Sequence, residues 1–549
     1  KPYDQFVKEQ LAGDDIDPEN PEMLIAVGFL RMGPWEQTGM SVARVTRQQF
    51  LDDVTDAVGQ VFLSNPLQCC RCHDHKFDPI PTRDYYRIQA CFATTQFADR
   101  DAAFLDTENK AGFGLERDRL TERNDRYGKI LNAISATTRD AELAWFKERG
   151  LPYRTRAEAI QKKAPAEQIP PSRLGLTPQD NGIERIGRKY LGRHRWELSR
   201  YEPVAFSVYS GSTPVLGNVD SPIAMPKDPM KSGELEETAI LAGGDTFSPT
   251  FAVTPGVLSA VPDSNDSVEG TNRNFITNQP AGRRTELANW IASKNNPLTV
   301  RSIVNRVWQG HFGRGLVATS NNFGATGRKP THPALLDWLC FRFVEGGWSI
   351  KTLHRLIMTT DAYARASTHP DMKRVREKDP NLELLAVFRT RRLAAEEIRD
   401  AMLAASGELN RDIGGIPIRP DMNLEAALQP RQIMGTYSPA YQPSPLPGQR
   451  NRRTIYALKL RGQRDPFLET FNQPGSDKSC ERRETSTVTP QVFAMLNGEE
   501  VNDRALAMAK RLISEEQRED RRIDVAFRLC FGRSPTKEET ALCLKHWRE

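Results

Sequence analysis

Apolar residues recur every three or four positions through most of this chain, and strand-like runs are confined to one short stretch. In Pro21-Glu22-Met23-Leu24-Ile25-Ala26-Val27-Gly28-Phe29-Leu30 a proline stands at a first-turn position and the apolar residues follow helical spacing. Phe50, Val54, Val58, Val61 and Phe62 fall on one side of a helix predicted over 45–63, which Ser64-Asn65-Pro66 should end. Residues 106–190 are charge-rich with few aromatics. Within them Asp140-Ala141-Glu142-Leu143-Ala144-Trp145-Phe146-Lys147 fits one arm of a helical hairpin, ended by the proline-rich run from Ala164 to Ser172. Val204-Ala205-Phe206-Ser207-Val208-Tyr209 breaks the pattern, with Gly-Ser, Gly-Gly-Asp and Pro-Gly turns after it. From Arg283 onward helical spacing returns, in Leu287–Ile291, Val304–Trp308, Leu335–Leu339 with Phe343, and Leu353–Ile357. No fixed period repeats, which argues against a solenoid.

These patterns predict a multidomain, mainly α protein with a small β-rich middle domain. The expected divisions are a helical domain over 1–105, a helical insertion over 106–190, a β-rich domain over 191–265, and a helical C-terminal domain over 280–549. A linker from Asp263 to Asn278 should join the last two. With 549 residues the chain exceeds one ordinary core. Hydrophobic content of 38% and charged content of 27% fit a globular protein, and no apolar run approaches the length of a bilayer span. The net charge of +5 comes from basic residues interleaved with acids, as in Glu396-Glu397-Ile398-Arg399-Asp400, so nucleic acid is not an expected partner. Lys1-Pro2-Tyr3-Asp4 reads like the interior of a longer segment.

Chemistry concentrates in Leu67-Gln68-Cys69-Cys70-Arg71-Cys72-His73-Asp74-His75-Lys76-Phe77-Asp78-Pro79. It contains C-x-x-C-H at Cys69, Cys72 and His73, the spacing of a c-type haem attachment. Two thiols three positions apart can add to the two vinyl groups of one porphyrin, and the adjacent histidine is then placed to ligate the iron. Half of a zinc site is the main rival, with His75 or Cys91 completing it, although no second C-x-x-C exists. A thioredoxin-like redox pair would need a βα setting, whereas the preceding residues read as helix.

The run Cys70–Pro81, followed by Arg83-Asp84-Tyr85-Tyr86, closely resembles the planctomycete cytochrome c-like domain family. Pro2–Phe6 and Gln10–Asp14 resemble its opening segment. The C-terminal half resembles the family's usual companion, a planctomycete-specific domain of unknown function. The matching stretches are Val304–Trp308 with His311–Val317, His332–Trp338, Gly347–Ser349, Arg392–Asp400, and Ser479–Arg483 leading to Ser486–Gln491. The resemblance implies an exported, periplasmic or extracytoplasmic haem protein. The implied redox partner is a separate cytochrome or an N-terminal cytochrome domain absent from this sequence, and a polysaccharide or sugar is a further partner class. The sequence departs from the pattern at Cys70, where a small residue is expected.

Arg71 and Lys76 are candidates to pair with haem propionates. His75, two residues past the proposed ligand, and His311, in the Asn305–Gly315 block, are candidate catalytic groups. They would line a cleft between the His75–Asp78 loop and the Arg306–Arg314 block. Cys530 and Cys543 are placed to bridge in an oxidising compartment. Cys91, Cys340 and Cys480 read as buried small hydrophobes. The function these features imply is oxidoreduction, as electron transfer or as haem-dependent oxidation of a small organic molecule or sugar. The alternative is a carbohydrate- or surface-binding scaffold whose haem is structural.

Overall fold

The computed structural model describes residues 1–33, 41–214, 223–231, 233–261, 276–422, 432–433, 436–437, 441–460, 463–476 and 479–548. Helix α1 (Tyr3–Ile16) buries Val7, Leu11 and Ala12. In α2 (Pro21–Ala26), Pro21 opens the helix and the Asn20 side chain accepts the Glu22 amide at 3.0 Å. The chain then tightens into a 3-10 turn, Val27–Arg31, which brings Arg31 against Ala98 and the Asp99 carboxylate. Helix α3 (Ala43–Phe62) turns Phe50, Val54, Val58 and Phe62 inward, at the spacing the sequence predicted. A 3-10 turn over Gln68–Arg71 leads to α4 (Thr82–Phe92) and β1 (Thr95–Asp101). Then come α5 (Phe113–Glu148), α6 (Arg156–Gln161), α7 (Pro178–Ser199), β2 (Val204–Ser210), β3 (Ala239–Leu241) and β4 (Pro249–Ala252). The next helices are α8 (Arg283–Ile291), α9 (Pro297–Phe312), α10 (Pro333–Glu345), α11 (Ile350–Met358) and α12 (Asp361–Ala364). Helix predominates, with small antiparallel pairs, as the periodicities indicated.

Two compact units divide the chain. The first comprises 1–105, 204–402 and 459–502. Its hydrophobic core is continuous from Tyr3 and Val7 through Val58, Tyr85 and Phe92 to Leu287, Val304, Leu339 and Ile357. Neither 1–105 nor the 283–357 helices therefore closes a core alone. Arg284, 1% exposed, crosses the packed interior and grips the Asp14 carboxylate at 2.6 and 2.7 Å, with Asp15 and the Ser210 hydroxyl beside it. The Asp14 pairing is the bidentate geometry that satisfies a buried guanidinium.

The second unit comprises 106–203, 403–458 and 503–549. Its α5 and α7 pack as a long hairpin, with Tyr127 stacked on Tyr190 at 4.8 Å. The Thr177–Asp180 capping box and Pro178 set the start of α7. This unit also contains the short β5 (Gln432–Ile433) and β6 (Thr436–Tyr437) pair.

Chain segments thus distribute differently from the linear division expected. Residues 191–265 do not form a separate β-rich domain: the α7 helix runs on to Ser199, and β2 pairs antiparallel with β1, from Thr95↔Ser210 to Asp101↔Val204. A lone strand needs a partner for its backbone groups, and the partner comes from the N-terminal region. Residues 280–549 are shared between both units. Most of the expected 263–278 linker lies outside the described residues.

Candidate functional site

The Cys69–His73 segment is presented by the return of the chain over the end of α3. Ser64 turns it with a φ of 49°, and its hydroxyl, 2.7 Å from the Ser302 hydroxyl, donates to the Ser320 carbonyl at 2.7 Å. Gly59 permits the return, because a β carbon there would lie 2.6 Å from the Asn65 carbonyl oxygen. The 3-10 turn, at about three residues per turn, puts Cys69 and Cys72 on one side and Cys70 on another. Cys70 goes inward, fully buried, with its sulfur 3.6 Å from the Ile80 carbonyl oxygen. Burial pushes its thiol up to about 12, so it stays protonated. Cys69 and Cys72 are exposed.

Cys72 lies against the Gly243-Gly244 turn between β3 and β4. A β carbon on Gly244, whose φ is +79°, would sit 2.6 Å from the Cys72 sulfur. His73 is exposed, and its Nδ1 lies 2.8 Å from the Asp74 carbonyl oxygen. A carbonyl can only accept, so this contact places the ring proton on Nδ1 and leaves the Nε2 lone pair available. The segment therefore presents two reachable thiols three positions apart and, next to them, an imidazole in the tautomer that can coordinate a metal through Nε2.

The flanking residues hold this loop. Asp74 Oδ1 accepts the Thr82 amide at 2.7 Å at the start of α4. His75 Nδ1 accepts the Asp78 amide at 2.9 Å, with the Asp78 carboxylate 3.1 Å from the same nitrogen. Asp78 in turn accepts the Ala325 amide at 2.6 Å. His75 thus braces a turn. Lys76 extends over the Phe77 ring, 5.3 Å from its centroid. Arg71, expected to reach outward, instead places its Nε 3.0 Å from the Asp52 carboxylate, while its carbonyl accepts the Tyr86 hydroxyl at 2.8 Å.

His311 is not joined to His75. Its Nε2 lies 2.7 Å from His354 Nδ1, linking α9 to α11, with the Tyr363 ring edge-on at 5.4 Å. Burial first, and then the neighbouring His354, holds the His311 pKa below its ordinary value. Arg306 binds the Gln60 carbonyl at 2.7 Å and Asn321 at 2.8 Å, and Arg314 pairs with Glu383 at 2.7 Å. The block expected to form a cleft wall with the His75–Asp78 loop is largely engaged in internal bonds.

An open groove lies elsewhere. About 290 Å³ in volume, it runs along α3 beside Gln68, lined by Phe29, Met32, Asp52, Asp56, Gln60 and Ser479 among others. Asp56 accepts the Gln68 amide at 3.2 Å, at the threshold of the cysteine turn. Asp52 accepts from Tyr85 at 2.7 Å, Gln48 at 2.9 Å and Gln89 at 3.0 Å. Sequence reading missed Asp52, Asp56, Tyr85 and Gly244. Tyr85 stood in the Arg83–Tyr86 run and Gly244 in the Gly-Gly-Asp turn without an assigned role, and the acidic i, i+4 pair on α3 was a further signal.

All eight cysteines, Cys530 and Cys543 included, are free. Cys91 and Cys340 are buried as expected, but Cys480 is exposed. The segment around it is held by polar bonds, Ser479 to Asn321 and the Glu481 carbonyl to Gln309, which draw no apolar cover over the thiol. Among the described residues no group of three or more His, Cys, Asp or Glu side chains stands together to hold a metal ion, so the zinc alternative finds no complete ligand set there.

This arrangement defines a mainly helical protein with an exposed C-x-x-C-H turn set into a core shared by its N-terminal and later helices. Residues 1–97 match the family PSCyt2, described as a protein of unknown function (DUF1549), and residues 283–547 match PSD1, a protein of unknown function (DUF1553). Over these two stretches the chain is therefore similar to domain families of unknown function. No curated protein and no solved structure matches it. Among the described residues no helix is long and apolar enough to cross a membrane.

Proposed function

We propose that this chain is an exported, extracytoplasmic c-type cytochrome acting in oxidoreduction, with haem attached at Cys69 and Cys72 and ligated by His73. The observation that carries the reading is the sorting of the three clustered thiols: Cys69 and Cys72 are exposed and Cys70 is buried. The extra cysteine therefore does not compete for attachment, and the remaining pair has C-x-x-C spacing. When bound, the haem supplies exchange of single electrons. Cys69 and Cys72 would hold it, each thiol adding its S–H across one of the two vinyl groups. His73 directs Nε2 outward, while its Nδ1–H bond to the Asp74 carbonyl holds the tautomer and strengthens the ring as a donor. Asp74, by accepting the Thr82 amide, anchors that segment to α4.

Expression with export and c-type maturation should give protein that keeps its haem colour after denaturation, and cytoplasmic expression should give colourless protein. Wild-type protein without covalent haem after export, or with zinc on Cys69 and Cys72, would overturn the reading. The scaffold alternative predicts covalent haem that neither accepts electrons from a mild reductant nor exchanges them with a second cytochrome.

A further inference from the structure

We propose that Asp52 takes up the proton that accompanies reduction of the haem attached at Cys69 and Cys72. This rests on the attachment reading above and adds to it a proton-coupled regulation of the site. Asp52 lies on α3 directly behind the cysteine turn. Its carboxylate meets Arg71, one of the two residues between the attachment points, at 3.0 Å. The Arg71 backbone is fixed in turn by the Tyr86 hydroxyl. Asp52 also lines the groove beside Gln68, so a path to solvent is open on the face away from α4.

The groups around Asp52 fix the direction of the effect. From α3 come Gln48, Asp53 and Asp56; from the cysteine turn, Arg71; from α4, Tyr85, Gln89 and nearby Tyr86. Phe29, Leu30, Met32 and Gly33 line another wall, with Arg31 among them paired to Asp99 at 2.6 Å, and the rim contributes Ser476 and Ser479. Burial is the largest influence and raises the Asp52 pKa, against the Tyr85 and Gln48 bonds and the Arg71 charge that lower it. Tyr85 itself is pushed well above the ordinary tyrosine value by burial and then by Asp52, so it remains the donor. Asp52 is thus a largely buried carboxylate whose charge state is set by burial on one side and a few nearby partners on the other. An electron added to a haem iron held at this turn would remove one unit of positive charge and so favour the protonated acid. The balance is one electron from a one-electron reductant, iron(III) to iron(II), and one proton from solvent to an Asp52 carboxylate oxygen.

The test is the midpoint potential of the exported holoprotein, by spectroelectrochemical titration from about pH 4 to about pH 8, a range that brackets a raised carboxylate. Covalent haem content is measured first. The wild-type potential should fall as pH rises through one window, by up to ~59 mV per tenfold drop in proton concentration for one proton per electron. Asp52→Asn should be flat across that window and Asp56→Asn should keep the slope. Should Asp52→Asn fail to fold, Tyr85→Phe, which removes a bond favouring the charged form, should move the window to higher pH. A flat wild-type profile, a slope surviving in Asp52→Asn, or an unmoved window in Tyr85→Phe would overturn the proposal with haem in place. Absence of covalent haem would instead overturn the attachment reading, and this proposal with it.

Discussion

Between two solvent-facing thiols, Cys70 fills a core position that the neighbouring Leu67 and Ile80 help to enclose. Its replacement by alanine is therefore expected to leave both attachment points intact and to cost only about 1 kcal/mol of stability. Cys69→Ala and Cys72→Ala should each leave a single thioether. Intact-mass measurement and peptide mapping of the exported variants separate these outcomes. Loss of a haem linkage in Cys70→Ala would show that the sorting is wrong. Gly244 offers a second check, since it is both left-handed in backbone and packed onto the Cys72 sulfur. Gly244→Ala should cost about 1–3 kcal/mol from the strained φ. It should also slow linkage at Cys72 more than at Cys69, a difference that a purely backbone defect would not produce.

Helices in the first unit are joined by a few polar ties whose removal should be felt well beyond one residue. Arg284 on α8 holds Asp14 and Asp15 of α1 and Ser210 of β2. Arg284→Ala leaves buried carboxylates uncompensated and is expected to lose about 3–5 kcal/mol in denaturant unfolding. A loss within experimental error would mean that the α1–α8 contact stands on apolar packing alone. The His311–His354 bond gives the α9–α11 contact a pH dependence. The His311 pKa is depressed below 6.5 in the folded protein, so below that value the unfolded chain binds more protons. Stability contributed here is present above about pH 6.5 and declines as pH falls toward the folded pKa. His311→Asn should flatten that part of the stability–pH curve, and an unchanged slope would assign the acid sensitivity to other groups.

Across the whole molecule the decisive feature is that the N-terminal residues and the 283–357 helices share one core. A fragment of residues 1–105 should accordingly lack a cooperative unfolding transition in calorimetry, because many of its buried apolar side chains have partners outside it. A sharp transition in that fragment would contradict the shared core. Local chemistry was legible in the sequence because its signals are short-range. The C-x-x-C-H spacing, the inward stripe of α3, its stop at Ser64-Asn65-Pro66 and the dominance of helix all depend on residues within a few turns of one another. The division into units was not legible, since the 106–203 hairpin, the 204–210 strand and the last 47 residues are placed by contacts between distant segments. The same limit governs the site. The sequence by itself determined which thiols and which histidine could act together. Only the tertiary structure decided that Cys70 turns into the core, that His75 and His311 are tied to separate partners, and that Arg71 pairs with Asp52. Each of those outcomes depends on which surface a side chain meets after packing, and spacing along the chain does not encode that.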